Sequence, residues 1–362
     1  MLRKETMMTR RCLAVMAGLL LMPFGAMGAG GDSVSGLKNA GKLFEIKPMV
    51  EPEWVSRPDN PLFTLAWMSD YHIVDENSKV QVAKACSVAK NLIRPAFTLI
   101  TGDNCGMPFR QTADATVGEQ RQKWLKSFLD NALGEYAIVP GDNWYPDFDK
   151  VFGPTHYSFN YGGFHFQFAA TDILGEQDAC AVFSPEAKAW MEQDLAANTN
   201  RPCIFVIHET VWPASFLDAP YLAELFNANP QVVCVFSGHL HLDLQFQRGT
   251  WTQFVAPSVG SSHRPGFKSV KFYADSIILE SYEQDPVSKE FEQVSKWQRV
   301  MIPETYQSAV SRPETEGVPK DISSLPAAPK ALDPSLDQRL PEISRHVLDC
   351  VMTLGFKTML NP

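Results

Sequence analysis

Short, continuously apolar runs alternate along the chain with longer stretches whose apolar positions recur every three to four residues. Phe63-Thr64-Leu65-Ala66-Trp67-Met68, rich in branched and aromatic residues, reads as a first strand. From Ser78 to Ile93 the residues Val82, Cys86, Ala89 and Ile93 keep helical spacing, and Arg94-Pro95 stops the pattern. Phe97-Thr98-Leu99-Ile100 and Tyr136-Ala137-Ile138-Val139 predict two more strands. Between them Glu119 to Asn131 reads as a helix with Trp124, Leu125, Phe128 and Leu129 on one face, but no residue marks its N-cap. Tyr157 to Ala170 predicts a hairpin turning at Tyr161-Gly162-Gly163. Ser184 and Pro185 open a helix that runs through Asn198. Ile204 to Ile207 and Val232 to Phe236 are apolar throughout, as in strands covered on both faces. Trp251 to Val255 and Ser269 to Tyr273 read as later strands. Trp67, Phe164, Phe166 and Phe168 are expected in the core.

The two ends follow other patterns. Arg3, Lys4, Arg10 and Arg11 precede an apolar run from Leu13 to Phe24 and a small-residue zone from Gly25 to Gly31. That is the layout of a secretory signal peptide over residues 1–30, and Arg10-Arg11 gives it a partial twin-arginine character. The run is shorter than the roughly 20 residues a bilayer span needs, so no transmembrane segment is expected after cleavage, and the location implied is periplasmic or secreted. Residues 31–60 form a lead-in and 61–301 the main domain. From residue 302 onward, prolines at 303, 313, 319, 326, 329, 334 and 341 punctuate a polar stretch, an extended linker or an arm against the body. Ile343, Val347, Leu348, Val351 and Leu354 then predict a C-terminal helix docked on that body.

Composition changes this picture in two ways. The 362 residues carry 32 basic and 41 acidic side chains, a formal charge of −9. An acidic chain argues against a bulk nucleic-acid surface, so an anionic ligand must be held locally. Outside the leader the six cysteines Cys86, Cys105, Cys180, Cys203, Cys234 and Cys350 permit disulfides in an exported protein. Cys203 and Cys234 fall in apolar runs and read as buried thiols, whereas Cys105 and Cys180 could form one bridge.

The candidate chemistry lies just after the strands: Asp70-Tyr71-His72, Gly102-Asp103-Asn104, Gly141-Asp142-Asn143, His208, and Gly238-His239-Leu240-His241. In α/β sheets ligand sites gather beyond the strand C-termini. Carboxylate and imidazole suit Zn, Fe or Mn, and seven such groups exceed what one ion needs. Two ions bridged by one carboxylate account for them. If the segment after the first strand stays extended, Asp70 and His72 point the same way and can grip one ion.

In order and content these segments resemble the calcineurin-like metallophosphoesterases, whose pattern is D-x-H, G-D, G-N-H-[DE], a lone His, and G-H-x-H. The likeness spans about Phe63 to Tyr282. It implies a four-layer αββα sandwich, two mixed sheets flanked by helices, with the Pro-rich C-terminal extension added. It also implies that Asp70, His72 and His241 hold one metal, that Asp103 bridges, and that Asp142, His208 and His239 hold the other. The ions would be divalent or mixed-valence Mn, Fe or Zn. The activity implied is hydrolysis of a small phosphomonoester or phosphodiester by metal-activated hydroxide.

The third segment departs from the family. Asp142-Asn143 stands where the family has Asn-His, so Asp142 adds a negative charge and Asn143 cannot act as a general acid. Such an acid typically contributes about 10²–10⁴-fold. Three alternatives remain: a slow enzyme, one that prefers activated leaving groups, or a proton from elsewhere, with His156 and His263 the candidates, each expected at the surface. The rival function is a metal-containing protein that binds phosphorylated ligands with little turnover. Tyr71, Cys105, Trp144, Tyr145, Trp212 and Phe216 flank the metal segments and are candidate pocket residues.

Overall fold

The computed structural model describes residues 60–107, 117–177, 179–262 and 264–360, with side chains to residue 350. The leader, the lead-in up to residue 59, and His263 lie outside the described residues.

The first strands follow the apolar runs closely. β1 (Phe63–Met68), β2 (Thr98–Ile100) and β3 (Tyr136–Ile138) lie parallel in one sheet. Helix α1 (Glu76–Val88) returns the chain from β1 to β2, with Asp75 capping the Ser78 N–H. It runs into a π-helical turn at Ala89–Ile93 that left-handed Arg94 ends. Helix α2 (Gly118–Ala132) connects β2 to β3, and its missing cap comes from far along the chain: Asp147 Oδ2 accepts the Glu119 N–H at 3.0 Å. Three strands of the second half complete this six-stranded sheet: β12 (Gly266–Phe272), β13 (Ser276–Gln284) and β14 (Phe291–Met301) form an antiparallel meander beside β1. β13 and β14 went unpredicted, because β14 has one exposed face and its pattern is interrupted by charges.

The second sheet has seven strands. Its parallel centre is β5 (Phe164–Phe168), β8 (Cys203–Val206), β9 (Val232–Ser237) and β11 (Trp251–Val255). β4 (Tyr157–Tyr161) forms the expected hairpin with β5, and β10 (Leu244–Arg248) flanks β11.

One core lies between the sheets, where Leu65, Trp67, Phe166, Phe168, Phe236, Phe254 and Val270 are buried together. Each such side chain contributes about 1.5–3 kcal/mol on burial. Helices α1 and α2 cover the outer face of the first sheet through Val82, Cys86, Leu125 and Leu129. Helices α3 (Pro185–Ala197) and α4 (Ala219–Ala228) cover the second through Met191, Leu195, Leu222 and Phe226. The order is therefore helix, sheet, sheet, helix. No described helix is long and apolar enough to cross a membrane.

The Pro-rich stretch lies along the body. Ser323–Ser324 pairs with β4, and Ala331–Leu332 pairs with Ile173–Leu174. Beyond it, the helix Leu340–Leu360 places Cys350 in the cluster over the second sheet. All six described cysteines are buried and in no disulfide, so the bridge that Cys105 and Cys180 could have supplied does not form.

Candidate metal centre

Every candidate segment sits at the C-terminal end of a parallel strand: β1, β2, β3, β8 or β9. The loops are stitched to one another by their backbones. Asp70 N–H donates to Gly102 O, His72 N–H to Asp103 O, and Gly238 N–H to His208 O, at 2.9–3.0 Å. Asp70, His72, Asp103, Trp144, His239 and His241 all adopt positive φ, between 42° and 67°. Non-glycine residues there cost of order 1–3 kcal/mol each, and such strain collects at functional sites. Asp70 and His72 thus converge through a left-handed turn, not along an extended segment. The strand ends at Met68 because the loop takes its hydrogen bonds from the neighbouring loop.

All seven candidate ligands meet. Asp70, His72 and His241 form one group whose ligand atoms lie within 4.8 Å of one another, and Asp142, His208 and His239 form a second. Asp103 stands between them, with Oδ2 3.4 Å from His72 Nε2 and Oδ1 3.5 Å from His208 Nε2. His208 Nε2 is also 3.3 Å from Asp142 Oδ1. Asp70 Oδ1 and His208 Nε2 are buried without a hydrogen-bond partner. The outer atoms are committed. Ser69 Oγ donates to Asp70 Oδ2, and His208 Nδ1 lies 2.6 Å from the Thr101 carbonyl. That contact makes Nδ1 the protonated nitrogen and turns the Nε2 lone pair inward. Ser69 and Thr101 escaped the sequence reading, since a Ser before the motif and a carbonyl before Gly102 carry no signal.

The electrostatics match this crowding. Burial and then the charge of Asp142 push Asp103 up to about 7. Burial opposes ionisation of Asp70, yet His241 and His72 hold it well below the usual carboxylate range. Burial opposes the charged form of His208 as well, but Asp103 and Asp142 drive it well upward. His239 is lowered by burial.

Asn143 sits against the acids. Its backbone N–H donates to Asp103 Oδ1 at 2.9 Å, and its side-chain amide donates to Asp103 Oδ2 at 2.6 Å and Asp142 Oδ1 at 3.0 Å. His156 is buried, not at the surface, between Phe183 and Trp190, and burial lowers it to about 4. It is neutral at pH 7 and so a poor general acid. Of the flanking aromatics, Tyr71 and Phe216 are core residues. Trp144 meets His72 edge-on at 5.3 Å, and Arg248 lies over Trp212 at 3.9 Å.

No family model matches the chain, and no curated protein matches it either. Solved structures do. A dimetal phosphatase from Danio rerio is 13% identical, with a TM-score of 0.55, over 67% of this chain and 100% of that one. A conserved uncharacterized protein of Streptococcus pneumoniae, titled a predicted phosphoesterase, is 12% identical over 66% and 97%, with a TM-score of 0.34. The inner-membrane-complex anchor GAP50 of Plasmodium is 13% identical over 78% and 94%, with a TM-score of 0.46. The first of these carries the comparison. With the two mixed sheets and the flanking helices, it shows that the chain shares the fold of that phosphatase, a four-layer α/β sandwich.

Proposed function

We propose that the chain is an exported phosphoesterase that works with two metal ions and hydrolyses a small phosphomonoester or phosphodiester. One observation carries the reading. His208 donates a hydrogen bond from Nδ1 to Thr101 O and turns Nε2, which has no hydrogen-bond partner, into the interior toward Asp103 and Asp142. Buried imidazole and carboxylate groups crowded this closely are costly unless a cation, a proton or a metal ion, stands among them. The donor set of imidazole and carboxylate fits Mn, Fe or Zn. Asp70, His72 and His241 would hold one ion and Asp142, His208 and His239 the other, with Asp103 shared. When bound, such ions supply Lewis acidity toward phosphoryl oxygens and lower the pKa of water. The chain's residues orient the ligands: Ser69 and the His239 N–H fix Asp70 Oδ2, so that Oδ1 faces inward. Export rests on the basic residues and apolar run of the first 30 positions.

Asn143 favours a second reading, a metal-containing protein that binds phosphorylated ligands with little turnover. Its amide hydrogens are given to Asp103 and Asp142, and no imidazole stands in its place. Turnover separates the two readings. The purified chain would be assayed for metal by elemental analysis and offered nitrophenyl mono- and diesters with Mn, Fe or Zn. Two metals per chain, with hydrolysis lost in Asp103→Asn, is the expected result. Two metals without hydrolysis would favour the binding protein, and no metal under any loading condition would sink both.

A further inference from the structure

We propose that Lys330, delivered by the C-terminal arm, is a contact for the substrate's phosphoryl oxygens; the inference rests on the phosphoesterase reading above. The arm is held on both sides of this residue. Leu325 N–H donates to His156 O at 3.1 Å, Ala331 N–H to Asp172 O at 2.8 Å and Asp333 N–H to Leu174 O at 2.7 Å. Pro329, directly before Lys330, stiffens the approach. The backbone of Lys330 is thus fixed by its anchored neighbour, and only the side chain is left to place its charge.

That charge sits beside the metal centre. Lys330 Nζ donates to Gly141 O at 2.9 Å, the carbonyl immediately before Asp142. Nζ also lies over the Tyr145 ring, 5.2 Å from its centroid. Burial lowers Lys330 from its ordinary value, while Glu209, Asp142, Asp103 and Asp172 support its charge without forming an ion pair with it among the described residues. Glu209 is partly engaged elsewhere, since its Oε1 accepts from Thr171 Oγ1 at 2.6 Å. An ammonium has three donors and Gly141 takes one. A half-buried cation with donors to spare and no contacting acid suits an arriving anion.

The site has need of such a cation. Asp70, Asp103 and Asp142 converge there, and the third segment supplies an amide, Asn143, already turned onto two of them. Carboxylates repel a phosphate, and a fixed ammonium on the Asp142 side offsets part of that repulsion. The ligand class is a phosphoryl group, whether carried by an ester substrate or by its inorganic product.

The test uses the full, metal-loaded chain as wild type, Lys330→Met, Lys330→Arg and Lys330→Gln. Metal content, thermal unfolding, inhibition by inorganic phosphate, and KM and kcat for the nitrophenyl ester that the wild type hydrolyses are measured together. Lys330→Met is expected to keep two metals and bind phosphate about 10- to 100-fold more weakly, the range for one charge-assisted hydrogen bond, with KM raised in parallel. Lys330→Arg should stay within about fivefold of wild type, since a guanidinium keeps charge and donors. Lys330→Gln keeps a donor for Gly141 without the charge and decides the question if Lys330→Met fails to fold. Unchanged phosphate inhibition in a metal-replete neutral variant overturns the inference alone. So does loss of metal in the variants, which would make Lys330 a counter-charge for Asp142. A wild-type chain that binds no metal overturns the phosphoesterase reading, and this inference falls with it.

Discussion

His72 and His241 face each other Nε2 to Nε2 at 3.1 Å, and Asp70 Oδ1 lies 3.1 Å from the second of these nitrogens. Two imidazole lone pairs at that distance repel unless a proton or a metal ion stands between them. Their loops leave β1 and β9, which belong to different sheets, so whatever bridges them also ties the sheets together. Metal should therefore stabilise the fold. A ligand at a hundred times its Kd contributes about 2.7 kcal/mol. Thermal unfolding with excess Mn or Zn should occur several degrees above that in chelator, and an identical midpoint would contradict the assignment.

The gap between these two conditions should widen as pH rises from about 4 to 7. In the metal-free chain, burial and the neighbouring Asp142 raise Asp103 to about 7. A carboxyl raised on folding binds its proton more tightly in the native state, so that contribution is lost as pH climbs through the folded value. His208, raised by the same acids against its burial, has the same sign, because its native charge stabilises most at low pH. His239, lowered by burial, opposes them in part. Metal binding needs these groups deprotonated and strengthens over the same range. Melting curves at pH 5, 6, 7 and 8, with and without metal, check this; a constant gap would refute it.

Gly141 lets the third loop lie against the second. A Cβ at that position would strike Asp103 Oδ1 and the Asp103 backbone nitrogen. Gly141→Ala should displace the shared carboxylate, lose at least one metal per chain, and cost about 1–3 kcal/mol, as overpacking typically does. Elemental analysis of the folded variant is the measurement, and full occupancy would show that the loop has slack.

Asn143→His introduces an imidazole beside Asp103 and Asp142, where the G-N-H pattern that the third segment partly resembles carries one. Hydrolysis of an ester with a poor leaving group should rise by about 10²-fold, the lower end for a positioned general acid, while nitrophenyl esters change less. The ratio of the two rates is the readout. An unchanged ratio would mean that the leaving oxygen does not reach this side of the site.

Asp194 tests the frame apart from the site. Ser158 Oγ, His165 Nε2 and Gln167 Nε2 all lie 2.8 Å from its carboxylate oxygens, tying β4 and β5 to helix α3. Asp194→Ala leaves these buried groups without a shared partner and should cost about 3 kcal/mol. Denaturant unfolding gives the loss directly. Hydrolysis at low temperature should stay near wild type, because none of these groups reaches the metal loops.

The order of elements was readable where one physical signal dominates. Continuous apolar runs marked β8 and β9, since strands covered on both faces need them; branched and aromatic residues marked β1, the turn at Gly162-Gly163 marked the β4–β5 hairpin, and Ser184-Pro185 marked the start of helix α3 by local capping alone. The residues that the structure brings together were also readable as candidates, because Asp and His directly after such runs have few other reasons to recur. β14 was missed because a half-exposed strand tolerates charge, and the cap of helix α2 was missed because Asp147 lies 28 residues away from Glu119.

By itself, then, the sequence determined the alternation of strands and helices and which residues could bind metal, since both are written in local residue type and spacing. Only the tertiary structure decided how those residues meet. Left-handed turns at Asp70, His72, Asp103, His239 and His241 aim the ligands inward, the Thr101 carbonyl selects the nitrogen that His208 presents, and the arm brings Lys330 to Gly141. Each of these depends on a partner distant along the chain, and a backbone bent against its own preference is held only by the neighbours that folding brings to it.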